Sequence, residues 1–295
     1  MMGILTRVLN AIEKPFIFIK NNFDRFCYGI CGQKPWSRGY DLAKFEFIAG
    51  TCKDEALMAA FRNNGRLPVN FGYGLDERVC EYPWTLARLS DQRTRLLDAG
   101  SVFNFEGIVG HPRLVRKDLT IFTLAPEREA FWDKGISYHY GDLRQLPFKD
   151  GWFDEICCVS TLGHVGMDNR LYKKDEIYHE VSLEADQATK ELLRVLRSKG
   201  TLLISVVFGR PQLIEWDGTP FAQQFDSRLL NDYMEVFAGC SSVKTVFYKY
   251  TDQGWNVSTE PECSQMEYFN IHTAGSLDAD RAAAARSVVF IEVVK

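Results

Sequence analysis

The apolar positions of this chain change rhythm near residue 94. Upstream they recur at helical spacing. Ile4, Leu5, Val8, Leu9 and Ile12, then Phe16, Ile17, Phe18, Ile19, Phe23 and Phe26, predict a helix over residues 3–31 that Pro15 kinks or splits. Trp36 to Arg62 predicts a second helical region, with Tyr40, Phe45, Phe47, Ile48, Leu57, Met58 and Phe61 as buried positions. Asn63-Asn64-Gly65 and Pro68 break it. Residues 71–84 set paired glycines among aromatics, which reads either as one wall of a cleft or as a connector packed by its own rings. Trp84 to Leu89 reads as a short helix.

Downstream the rhythm is strand, loop, helix. Apolar, β-branched runs at Thr94 to Gly100, Leu119 to Leu124, Ile136 to Tyr140, Glu155 to Ser160 and Thr201 to Phe208 predict strands. Between them, Pro126-Glu127 predicts a helix ending near Gly135, and Ser182 to Arg197 an amphipathic one. After Gly209 come a helix at Asp226 to Phe237, a strand at Ser242 to Tyr250, a polar insert near residues 251–285 and a closing strand at Arg286 to Val294. Strands alternating with helices call for an α/β domain with a mostly parallel sheet and right-handed crossovers. We therefore divide the chain into an N-terminal helical extension (1–90) and an α/β domain (91–295). In such sheets ligands sit beyond the carboxyl ends of the strands. Asp142 and Ser160-Thr161-Leu162-Gly163-His164, at two consecutive strand ends, are thus a candidate ligand rim.

Composition narrows the setting. A chain of 295 residues can build a sizeable core, and a net charge of −4 offers no global attraction to nucleic acid. Eight cysteines with no secretory leader point to a reducing, cytoplasmic setting rather than a disulfide framework. Cys27 and Cys31 share a helix face, but no second Cys/His pair follows, so no metal site is expected. Charged residues interrupt the N-terminal apolar run too often for a bilayer span. Two readings stay open for that helix: an interfacial helix peripheral to the inner face of a membrane or on a partner, or an arm packed on the domain.

Four segments together resemble the class I S-adenosylmethionine-dependent methyltransferases. They are Leu-Leu-Asp-Ala-Gly from Leu96, Gly-Asp-Leu-Arg-x-Leu-Pro-Phe from Gly141, Phe-Asp with Ser-Thr-Leu-x-His-Val-Gly from Phe153, and Glu-Leu-Leu-Arg-Val-Leu-Arg-x-x-Gly-Thr-Leu-Leu-Ile-Ser from Glu191. The resemblance covers roughly residues 94–209. Within that superfamily the chain looks most like an uncharacterised bacterial group marked by Asp-Glu-Arg-Val-x-Glu-Tyr-Pro-Trp (Asp76 to Trp84) and Ser-Thr-x-x-His-Val-Gly-Met-Asp-Asn (Ser160 to Asn169), whose members are assumed to act in surface-glycan biosynthesis.

The resemblance implies a Rossmann-like sheet, mostly parallel with an antiparallel C-terminal strand, and S-adenosylmethionine as cofactor. It implies cofactor-binding roles for Asp98, Gly100, Thr123, Glu127, Asp142, Leu143 and Ser160, with no metal. His164 is the candidate general base for a hydroxyl or amine of a small-molecule or glycan-linked acceptor; alternatively it caps the helix after the fourth strand and packs under the cofactor. The chain departs from the family pattern at Val102 and Asn104, where further glycines are usual, at Thr123, where an acidic residue is usual, and at Gly163, where a carboxylate is frequent. Those departures leave a second reading open, a methyltransferase-like binding or scaffold protein with weakened catalysis. A nicotinamide dehydrogenase would need Gly-x-Gly-x-x-Gly after the first strand, and Asp98 to Gly107 does not supply it.

Overall fold

The structure, a computed structural model, describes residues 19–172, 182–271 and 273–295. Five apolar runs pair in parallel as β1 (Arg95–Ala99), β2 (Asp118–Thr123), β3 (Ser137–Tyr140), β4 (Phe153–Val159) and β5 (Leu196–Val207). A hairpin of β6 (Gln212–Trp216) and β7 (Thr219–Gln224) stands apart from the sheet. The strands β8 (Ser242–Thr251), β9 (Gly254–Ser258) and β10 (Ser287–Val294) then extend the sheet antiparallel, in the order β3-β2-β1-β4-β5-β10-β8-β9. The order reverses between β1 and β4, so a crevice opens beyond the carboxyl ends of these two neighbours. This is the Rossmann-like arrangement that the resemblance implies.

A strand's period of two sends alternate side chains to opposite faces, and both faces here are dry. Leu96 and Cys157 join one core, while Leu97 and Ile156 join the other. Two helices, α7 (Ala185–Val195) and α8 (Ser227–Met234), cover the second face with Ala188, Leu192, Leu230 and Tyr233. The first face is covered largely from upstream of the sheet. Here α2 (Tyr40–Thr51), α3 (Glu55–Arg62) and α4 (Arg78–Arg88) contribute Tyr40, Ile48, Phe61, Val79 and Trp84. Trp84 stacks on Phe290 of β10 at 4.5 Å. These three helices therefore form a layer of the fold.

The crossovers explain why that layer is needed. Between β1 and β2 there are only α5 (Glu106–Val109) and α6 (Pro112–Val115), one turn each. Between β2 and β3, where Pro126-Glu127 predicts a helix, there is a single 3-10 turn at Trp132–Lys134. Side chains hold this segment instead. Asn104 Nδ2 donates to Glu127 and to the Glu129 carbonyl at 2.7 and 2.8 Å, and Phe131 N–H donates to the Tyr138 hydroxyl at 2.8 Å. These contacts take groups that a helix would use, and such short crossovers cannot cover a sheet face.

The stretch expected as a polar insert near 251–285 begins as sheet. Thr251 and Gly254 pair across a two-residue turn, and Gly254 sits at φ +80°, a conformation that favours glycine. Trp255 is fully buried, its indole N–H donating to the Leu75 carbonyl at 2.9 Å.

Candidate active site

A cavity of about 810 Å³ occupies the crevice at the strand ends, a volume typical of small-molecule sites. Its floor is a close approach of two chain segments. Gly100, just past β1, has φ +116°, and its N–H donates to the Phe122 carbonyl at 2.9 Å. A Cβ placed there would lie 2.8 Å from both Cβ and Cγ2 of Thr161. Glycine is required by backbone angle and by space alike.

Beneath the loop, Asp98 is fully buried. Its carboxylate accepts from Val102 N–H at 3.1 Å and Phe103 N–H at 2.7 Å, which fixes the turn above it. Burial pushes its pKa up to about 7, against those two hydrogen bonds. Asp98 is absent from the cavity wall, unlike the other residues expected to bind cofactor. Gly100, Thr123, Glu127, Asp142, Leu143 and Ser160 all line it, and so does His164.

Two carboxylates on the wall are held by neighbours. Glu127 is tethered by Asn104, whose Oδ1 in turn accepts from the Tyr138 hydroxyl at 2.8 Å. Asn104, a departure from the family's glycine, thus positions an acid four residues beyond Thr123. Asp142 accepts from Arg144 N–H at 2.8 Å and pairs with the Arg144 guanidinium, which also reaches Glu184. Val102 lines the cavity as an apolar patch between these groups.

The opposite wall comes from α4. Arg78 and Tyr82 line the cavity. Behind them Glu81 is fully buried and accepts from three donors: Ser160 Oγ at 2.5 Å, Ser205 Oγ at 2.6 Å and Arg78 Nη1 at 2.8 Å. A buried carboxylate tolerates that position only because its lone pairs are used. It also holds Ser160 at φ +46° and so sets the path of the chain leaving β4. Arg78 and Glu81 both belong to the Asp76 to Trp84 signature, but the sequence gives neither a role, because Glu81's partners lie up to 124 residues away.

His164 closes the 3-10 turn Leu162–His164 after β4. Its Nδ1 lies 2.8 Å from the Phe221 carbonyl, an oxygen that can only accept. The proton therefore sits on Nδ1, leaving Nε2 as the basic nitrogen. Burial pulls its pKa down to about 4, and Arg78 adds to the effect. Gly163 beside it is packed closely against β7, where a Cβ would be 3.0 Å from the Gln223 carbonyl. Asn169 and Tyr172 complete this end of the cavity, and Asn169 Nδ2 donates to the His164 carbonyl at 3.1 Å. Arg210 and Trp255 lie away from the cavity: Arg210 pairs with Glu267 at 2.7 Å, and Trp255, a residue of β9, is buried with its indole N–H on the Leu75 carbonyl.

Comparison with known proteins fits this geometry. Residues 117–204, spanning β2 to β5, match the sequence model of the methyltransferase-domain family. No curated protein matches the chain. Among solved structures, an S-adenosylmethionine-dependent methyltransferase from Thermotoga maritima is 22% identical, covers 68% of this chain and 83% of its own, and gives a TM-score of 0.37. A 1,6-didemethyltoxoflavin-N1-methyltransferase from Burkholderia thailandensis, solved with 1,6-didemethyltoxoflavin and S-adenosylhomocysteine, is 12% identical over 69% of this chain and 72% of its own, with a TM-score of 0.39. A Methanosarcina mazei S-adenosylmethionine-dependent methyltransferase is 13% identical over 71% and 96%, with a TM-score of 0.41. The part of the chain that matches the methyltransferase-domain model runs from β2 into β5, the strands whose ends border the cavity.

Proposed function

We propose that the protein is an active methyltransferase whose acceptor is a hydroxyl or amine on a small or glycan-linked molecule. The observation that carries this reading is His164: a cavity-lining imidazole whose proton is fixed on Nδ1, next to the turn where Gly100 meets Thr161. The cavity suits the cofactor in size, and its wall alternates apolar surface with tethered acids. Glu127, with Thr123, would accept from the ribose hydroxyls. Asp142 would accept from the adenine amino group, with Leu143 and Val102 packing on the base. Arg78 brings positive charge to the wall opposite, suited to a carboxylate.

Bound S-adenosylmethionine supplies a methyl group activated by a sulfonium. The protein's part is to align the nucleophile and exclude water. His164 Nε2 would accept a hydrogen bond from the acceptor's O–H or N–H. A pKa near 4 makes it a weak base, but a hydroxyl oxygen becomes strongly acidic once it bonds to the methyl carbon, so for a hydroxyl acceptor proton transfer to imidazole is downhill at that point. Neutral imidazole is the working form, and a lowered pKa moves the acid limb of the rate from 6.5 to about 4. Turnover should therefore stay level as pH falls from 8 through 6.5. His164→Gln should lower it by roughly 10²–10³-fold while leaving S-adenosylhomocysteine affinity within about twofold.

The departures from the family pattern support activity over a scaffold role. Asn104 anchors Glu127, and Gly163 lets β7 pass close by. Eight free cysteines, five of them buried, are consistent with a reducing, cytoplasmic setting. The test is incubation with methyl-labelled S-adenosylmethionine and a cell extract, followed by mass spectrometry. Label in a low-mass or glycan-linked product, lost with His164→Gln, is expected. Tight cofactor binding with no labelled product would point to the scaffold.

A further inference from the structure

The helix α1, described over residues 19–30, sits with its apolar side facing out. Ile19, Phe23, Phe26 and Ile30 are 65%, 50%, 62% and 68% exposed, and steps of four, three and four residues place them in one stripe. The side toward the protein is more polar. Tyr28 is buried with its ring edge toward Tyr40, and Asp24 pairs with Arg38 at 2.6 Å. Arg25 pairs with Glu46 of α2, and Arg281 donates to the Gln33 carbonyl at 2.7 Å just past the helix. The orientation is thus fixed by polar contacts along the helix, and the stripe is not offered to the protein's own core.

The sequence upstream repeats the spacing. Met2, Leu5, Leu9, Ile12 and Phe16 step by threes and fours into Ile19. Residues 1–38 carry six Lys or Arg against two Asp or Glu, in a chain whose net charge is −4. Among the described residues, no helix is long and apolar enough to cross a membrane.

We propose that this stripe beds into the surface of a bilayer containing anionic lipid. Phe23 and Phe26 enter the acyl boundary, and Lys20 and Lys34, both exposed, lie at headgroup level. Local positive charge complements an anionic surface but would repel a second copy of the same helix. The positions flanking the stripe, Lys20, Asn22, Cys27 and Gly29, also lack the opposite-charge pairs that set a coiled coil.

The experiment is co-sedimentation of the full chain with vesicles of phosphatidylcholine alone or mixed with phosphatidylglycerol. The protein should pellet with the mixed vesicles and be released by salt. The double variant Phe23→Ser, Phe26→Ser should bind at least about tenfold more weakly, with an unchanged melting curve. A wild-type protein that stays in the supernatant with both vesicles would overturn the proposal, as would a double variant that pellets equally well. A dimer in light scattering that the double variant dissolves, without vesicle binding, would make a second copy the occupant and overturn it too.

Discussion

Gly100→Val should lower affinity for S-adenosylhomocysteine by about 100-fold or more, a cost of at least ~2.7 kcal/mol. Two effects add. A β-branched residue at φ +116° is strained by itself. Its Cβ would also overlap Thr161, whose hydroxyl is already committed to the Val159 carbonyl at 2.9 Å, so the side chain cannot simply turn aside. Either the loop after β1 lifts or the turn after β4 retreats, and both form the cavity floor. Gly110→Val is the control. Gly110 has φ −83° with nothing within 4 Å of a new Cβ, so binding there should be unchanged. Isothermal titration of both variants separates this account from one in which any loop glycine would do.

Glu81→Leu should destabilise the fold by about 3–5 kcal/mol, the range for breaking a buried ion pair from one side. Leucine fills the volume but strands the Ser160 and Ser205 hydroxyls and removes the Arg78 guanidinium's hydrogen bond to Glu81. Glu81→Gln keeps an acceptor oxygen and should lose less. Urea denaturation of the three proteins gives the order wild type, Gln, Leu. Equal stability of the Leu variant and wild type would mean that Glu81 does not join α4 to the ends of β4 and β5. Because Arg78 lines the cavity, the Leu variant should also bind S-adenosylhomocysteine more weakly, which a purely structural brace remote from the site would not produce.

What could be read from the sequence follows the range of the interactions. The parallel strands are legible because their apolar runs are local signals, and the place of Gly100, Asp142 and His164 on the cavity wall is legible because strand ends are where a loop must begin. The same reasoning overreached at Pro126-Glu127. Helix-start chemistry is present, yet Asn104, from the preceding crossover, ties the segment down before a helix can form. The resemblance implies a cofactor role for Asp98, and what the fold adds is that its carboxylate accepts from two backbone N–H groups of the loop above it. Trp255 looked like part of a polar excursion because its strand is short and flanked by polar residues. Its burial depends on Leu75 and Phe71, about 180 positions away. Glu81 shows the limit most clearly: a carboxylate on a helix ordinarily reads as surface, and only the fold reveals three donors around it.

The central claim is that the cavity between β1 and β4 is a working S-adenosylmethionine site. Isothermal titration of the wild-type protein with S-adenosylhomocysteine tests it most directly. The account predicts one saturable site per chain with an affinity in the micromolar range, of order −8 kcal/mol. No detectable heat or saturation at millimolar ligand would contradict it.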